Sequence, residues 1–178
     1  MHFNHDNMTG SLLAADLVTL LGRGWDIQHL RELLSNHEIR QITLTTEKSQ
    51  QILAWATLLE PAFTAESVDA RLESINILLA KGATKTYVTA HDGLRPHLHF
   101  ASEDQDLVAR VKAVTAGGLA IFTVESGGQR LGTCQRQGCT VAYVDTSRNG
   151  LRTYCSARCG NRDAVDRHRS SSRRDSQH

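Results

Sequence analysis

Cys134-Gln135-Arg136-Gln137-Gly138-Cys139 and Tyr154-Cys155-Ser156-Ala157-Arg158-Cys159-Gly160-Asn161-Arg162 are the two stretches that decide how this chain is read. They hold all of its cysteine, in two close pairs separated by a short segment. Two two-thiolate clips brought together by a turn are what a tetrahedral structural zinc site needs. Gly138 permits a tight knuckle within the first pair. The second pair is spaced by four, which on a helix puts both sulfurs on one face. Between the pairs, Val141 to Asp145 and Leu151 to Tyr154 alternate like strands, and Asn149-Gly150 is a strong hairpin signal. Asp163-Ala164-Val165-Asp166 then reads as helix. Knuckle, hairpin and helix in that order predict a treble-clef-like zinc finger.

A module of about 40 residues buries too little apolar surface to fold unaided. One structural Zn²⁺, contributing on the order of 10 kcal/mol or more in small peptides, is expected to fold it. Four cysteine ligands close the coordination shell and leave no position for a substrate water, so metal catalysis is not expected. Iron–sulfur ligation and redox thiols are the other uses of four thiolates, although the spacing matches neither ferredoxin pattern.

Charge separates the two ends of the chain. The 178 residues carry a net +1, but residues 1–128 hold 10 Lys+Arg against 15 Asp+Glu. Residues 129–178 hold 10 Arg, no Lys and 4 Asp. With four thiolates and one Zn²⁺ that segment still carries about +4. Such asymmetry points to a polyanionic partner for the C-terminal part. Arginine also offers paired donors to a phosphate or a guanine edge.

The body reads as helix-rich. Leu12, Leu13, Leu17, Leu20 and Leu21 share one helical face until Gly22 and Gly24 break it. A second helix is expected from N-cap Asp26 to about His37, and a third from Glu47 to Leu59, stopped by Glu60-Pro61. A fourth is expected from Thr64 to Ala80, with Val68, Leu72, Ile75, Leu78 and Leu79 buried and Gly82 as C-cap. Residues 86–90 and 97–100 look like two strands joined by a turn over His91 to Arg95. Ser102 with Gln105 forms a capping box for a helix to about Ala116, which Gly117-Gly118 loosens. Leu119 to Val124 suits helix or strand, and Gly127-Gly128 marks a linker. Trp25 and Trp55 are expected in the core. The fold class is therefore α+β: a helix-rich body over 1–128 with a small hairpin, a finger over 129–170 and a disordered basic tail over 171–178. The apolar stretch from Ser11 to Leu21 is too short to span a bilayer and lacks a basic leader, which predicts a cytoplasmic protein without membrane contact.

Cys134 and Cys139, Val144-Asp145-Thr146-Ser147-Arg148-Asn149-Gly150, Tyr154-Cys155-Ser156 and Cys159-Gly160-Asn161-Arg162 together resemble the CGNR zinc-finger family. The body is similar to the ABATE domain that usually precedes this finger, through Ala15-Asp16-Leu17-Val18-Thr19 and Pro96-His97-Leu98-His99-Phe100. Members often carry Trp where this chain has Tyr154, and Phe and Asn where it has Leu17 and Thr19. The resemblance implies a stress-induced transcription regulator that binds DNA.

On that expectation Arg162, Arg167 and Arg169 make groove or backbone contacts, with Arg148, Arg152 and Arg158 as positioning contacts. Asn161 could read an adenine edge, or make a helix-start hydrogen bond inside the finger. His97 and His99 lie on one strand face at a spacing that can bind metal, but no third ligand accompanies them, so a structural or surface pair is expected, with an effector pocket as the lesser reading. No nucleophile elbow or phosphate-cradling glycine loop is present, so an enzyme is not expected. The leading reading is a zinc-dependent DNA-binding regulator whose body senses a small-molecule effector or forms a homodimer. The alternative is a zinc module that binds protein or RNA, beside a body that binds a small molecule.

Overall fold

Leu13, Leu17 and Leu20 turn inward from α1 (His5–Arg23), with Leu12 and Leu21 packed partly against the same core, as the leucine spacing predicts. The computed structural model describes residues 5–90, 97–102 and 104–175. α1 runs through Gly22 and ends before Gly24, whose φ is +100°. Gly22 is a point of close approach, since a Cβ there would lie 2.6 Å from the Cβ of Thr140. α2 (Ile27–Asn36) starts and stops where expected. The Asp26 carboxylate accepts the N–H groups of Gln28 and His29, and the N–H of the C-cap His37 returns to Leu33.

Tertiary packing overrides local signals at several places. α3 (Thr46–Thr64) passes straight through Pro61. A proline inside a helix costs roughly 3 kcal/mol. Continuing the helix, however, buries Ala62 and Phe63, and a phenylalanine alone recovers about 1.5–3 kcal/mol. α4 (Val68–Gly82) starts late, at N-cap Ser67 instead of Thr64. Its inner stripe is Arg71, Ile75 and Leu78, while the expected Leu72 is 42% exposed. Gly82 is the last helical residue instead of the cap, and its bare Cα lets α4 approach Trp55 and the Lys112 carbonyl. Arg71 has no carboxylate partner among the described residues; its guanidinium donates to the carbonyls of Ala62, Ala65 and Gly128 at 2.6 to 2.9 Å. Burial holds its pKa below the usual arginine value.

α5 (Leu107–Ser126) begins at N-cap Asp106, which accepts the Ala109 N–H at 2.8 Å. Ser102 and Gln105 form only a turn, and the helix then continues through Gly117-Gly118 and on through Leu119 to Val124. The glycines do not loosen α5; they let neighbours in. A Cβ on Gly118 would sit 2.6 Å from the Cα of Gly10 in α1, and one on Gly117 would enter the Phe100 ring. α5 is apolar around its circumference and packs against α1, α3 and α4. Its length and mean hydropathy of 1.6 would suffice to cross a bilayer, but 61% of it is buried inside the protein. Trp55 donates its indole N–H to Thr115 in this core, and Trp25, partly buried, donates to Ser49.

β1 (Tyr87–Thr89) pairs antiparallel with β2 (His97–His99) in the register Val88 to Leu98. The turn expected at His91 to Arg95 lies outside the described residues. Gly127 takes a left-handed conformation at the end of α5, and both it and Gly128 donate N–H to the Thr123 carbonyl. These glycines therefore stop a helix, and the Gly128 carbonyl is gripped by Arg71.

β3 (Leu131–Thr133) pairs antiparallel with β4 (Ala142–Val144), so the hairpin brackets the first cysteine pair. The expected pairing of Val141–Asp145 with Leu151–Tyr154 does not form. Asp145 explains this: its carboxylate accepts the N–H of Ser147 and of Arg152, both at 2.9 Å, and takes a donor that a ladder would use. Leu131, Ala142 and Val144 belong to the same apolar cluster as the helices. The Thr19 hydroxyl of α1 accepts the Ala142 N–H at 3.0 Å. α6 (Ala157–Asp175) closes the chain and carries helical backbone into the segment expected to be disordered. The architecture is α+β, with six helices and two separate two-stranded hairpins among the described residues.

Candidate metal centre

The knuckle is built from backbone. Cys134 N–H donates to the Val141 carbonyl at 2.9 Å, Cys139 N–H to Arg136 at 3.0 Å, and Gly138 supplies the turn with φ +76°. The second pair is not carried on one helical face, because α6 begins only at Ala157. Cys155 precedes the helix and Cys159 lies in its first turn. Ser156 caps that turn by accepting the Cys159 N–H at 3.2 Å. The two halves are joined by Gln135 N–H donating to Thr153 at 3.1 Å.

All four sulfurs lie within 4.8 Å of one another. Cys155 and Cys159 are 3.5 Å apart, Cys139 and Cys155 3.9 Å, and Cys159 and Cys139 4.0 Å. A disulfide would need ~2.05 Å. A tetrahedron with Zn–S bonds of ~2.3 Å has edges of ~3.8 Å, which the observed separations bracket. A multi-iron cluster, whose thiolates are divided among two or more irons, would need those on different irons farther apart. Burial, followed by the neighbouring thiols, pushes Cys155 up to about 12, and burial also raises Cys139. The thiol hydrogen bond from Cys155 brings Cys159 down to about 7. Four crowded thiols resist carrying four negative charges, and a dication removes that cost. The donor set and its geometry fit one structural zinc ion held by Cys134, Cys139, Cys155 and Cys159.

The residues around the sulfurs fall into two groups. In the first, side chains are committed to the module. Arg152 donates to the carbonyls of Tyr154, Val144 and Cys155 and lies 4.9 Å over the Tyr143 ring. Tyr143 in turn donates its hydroxyl to the Arg152 carbonyl. Arg130 donates to Ser147 at 2.7 Å and orders the 146–150 turn. Burial disfavours a charged Asp145, but the Ser147 and Arg152 donors outweigh it and hold the carboxyl below its usual range. Tyr154 donates to Asp163 at 2.8 Å and packs its ring 3.2 Å from where a Gly160 side chain would begin. Asp163 also pairs with Arg167 at 2.8 Å, and the Tyr154 hydroxyl, ahead of Arg167, keeps its carboxyl low. None of Arg130, Tyr143 and Asp145 stands out in the sequence as functional, and only the polar run after β4 hints at the Asp145 turn.

In the second group the side chains are exposed. Arg148, Arg158, Arg162 and Arg169 have no side-chain partner among the described residues. At about 100° per residue, Arg158, Arg162 and Arg169 fall within about 40° of one another on α6. Arg167 lies on the opposite side of the helix. Asn161 is exposed beside the arginine stripe, and the helix-start bond expected of it is made by Ser156 instead.

The histidine pair is placed differently. His99 Nδ1 lies 3.3 Å from the Tyr87 hydroxyl, and the His97 side chain lies outside the described residues. Among the described residues no metal-ligand group forms around His99. A cavity of about 370 Å³ lies elsewhere, between α1 and α2.

A comparison with curated proteins finds no match for this chain. Residues 130–172, which span Arg130, the four cysteines and most of α6, match the family described as CGNR zinc finger.

Proposed function

We propose that the chain is a zinc-dependent DNA-binding transcription regulator, with the finger as its DNA contact and the body, read as an ABATE domain, as a sensing or dimerising part. In this reading the protein binds and does not catalyse. The observation that supports it is the exposed guanidinium stripe of Arg158, Arg162 and Arg169, with Arg148 also exposed, on a module in which Arg130, Arg152 and Arg167 are bound to the protein itself. Arginines without partners, set at one helical face, suit phosphates on one strand of a duplex or a base edge in the groove. Arg152 holds the segment that leads into α6, through the carbonyls of Val144, Tyr154 and Cys155, and Arg167 pairs with Asp163.

The test is binding of the zinc-loaded protein to duplex DNA across a salt series, beside Arg162→Ala/Arg169→Ala. A plot of log affinity against log salt loses ~0.9 from its slope for each phosphate contact removed. The double variant is expected to flatten the slope by about two contacts while keeping its zinc. Absence of DNA affinity at low salt, in protein with one zinc per chain, would replace this reading with a protein-binding module.

A further inference from the structure

Two helices of the body present the same spacing to each other. On α1, Asp16, Thr19, Leu20 and Arg23 occupy successive positions of one face, and on α2 the same pattern is made by His29, Glu32, Leu33 and Asn36. Together they line the cavity of about 370 Å³, within the ~300–1,000 Å³ of small-molecule sites. Leu20 and Leu33 give each wall an apolar patch. Charges of both signs surround them. One end is closed by His37, whose Nε2 meets Asp16 Oδ2 at 2.8 Å, which leaves the other Asp16 oxygen unused by that bond. Glu32 accepts Gln28 Nε2 at 3.2 Å on one oxygen only. Arg23 and Asn36 have no side-chain partner among the described residues.

We propose that this cleft binds a small zwitterion with an apolar side chain, of the α-amino acid class. Arg23 and Asn36 offer donors to a carboxylate, Asp16 and Glu32 offer acceptors to an ammonium group, and Leu20 and Leu33 receive the aliphatic part. A simple carboxylate would face the two acids, and a simple amine would face Arg23. Only a ligand with both charges satisfies both the acids and the donors, which stand on both helices. Thr19 borders the cleft while its hydroxyl accepts the Ala142 N–H of the finger hairpin, so occupancy is one residue from the metal module. The site stands independently of what the finger binds.

Amide NMR of the zinc-loaded full chain, titrated with L-leucine, 4-methylpentanoate and 3-methylbutan-1-amine, tests the assignment. L-leucine is expected to give saturable shifts at Leu20, Arg23, Leu33 and Asn36, with a further shift at Ala142. The two single-charge analogues should bind about tenfold more weakly or worse, because the carboxylate leaves the acids unpaired and the amine leaves Arg23 and Asn36 unpaired. Arg23→Met, a surface change checked for folding by circular dichroism, should reduce L-leucine to the affinity of the amine. Glu32→Gln should weaken L-leucine and the amine and spare the carboxylate. Absence of saturable shifts with L-leucine at millimolar concentration overturns the site. Equal binding of the three probes, or an Arg23→Met protein that binds L-leucine unchanged, overturns the zwitterion assignment.

Discussion

The described residues form two ribbons of the same size, and they are held in opposite ways. β1–β2 and β3–β4 each pair two three-residue strands antiparallel. In the first, the cross-strand pair Val88 and Leu98 is 66% and 42% exposed. That ribbon is anchored near its base by the Phe100 carbonyl, which accepts from Thr84 and Lys85, and by the Phe100 ring on Gly117. In the second, Leu131, Ala142 and Val144 are each at most 5% exposed. Thr19 clasps one strand, and the sulfurs tie the knuckle between them to α6. Isolated two-stranded ribbons are marginal in water. The pairing is the same in both, and the anchoring decides rigidity.

Removing the zinc breaks the contrast most severely. Chelation, or Cys155→Ser, forfeits a metal contribution of about 10 kcal/mol or more. Hydrogen exchange at 131–144 should accelerate strongly, with zinc content lost, while β1–β2 exchange as before. Gly118→Ala strikes the core that both ribbons lean on. Its new methyl group meets the Gly10 Cα at 2.6 Å, and overpacking of this kind costs about 1–3 kcal/mol. The denaturation midpoint should fall with zinc stoichiometry unchanged. Thr19→Val is narrower: the Ala142 N–H loses its acceptor, worth about 1–2 kcal/mol, and exchange should quicken in β4 and not in β2.

Acid sharpens the comparison on a smaller scale. The Asp145 pKa is depressed in the folded protein, so its contribution is present above the unfolded value of ~3.9 and is lost as pH falls through the folded value. The stability gap between the native protein and Asp145→Asn should therefore shrink below about pH 4, read from urea midpoints across pH. Val88→Thr, on the exposed ribbon, is expected to cost less than about 0.5 kcal/mol by the same measurement.

Short-range chemistry was legible where it acts alone. Asp26 and His37 bound α2 as their side-chain chemistry and position require, and the cysteine spacing identified the metal ligands. What misled was any signal whose outcome depends on a distant partner. Pro61 reads as a stop until Phe63 has a core to enter. Gly117-Gly118 reads as a loosened helix until Gly10 and Phe100 occupy the space. Leu72 suits the inner stripe better than Arg71, except that three carbonyls from separate turns converge where Arg71 sits. Asn149-Gly150 promises a hairpin, but Asp145 captures the backbone donors first. In the finger, counting arginines could not separate Arg152, bound to three carbonyls, from Arg148, which is exposed.

Thr19 and Ala142 are 123 residues apart, yet their contact seats the hairpin on the first helix. A ribosome delivers α1 long before the strand it meets, so this contact forms only after 123 further residues have been made. The same seam limits recombination: a finger moved onto another protein would leave behind its seat on α1, and a body given a foreign finger would need one that fits Thr19 and Gly22.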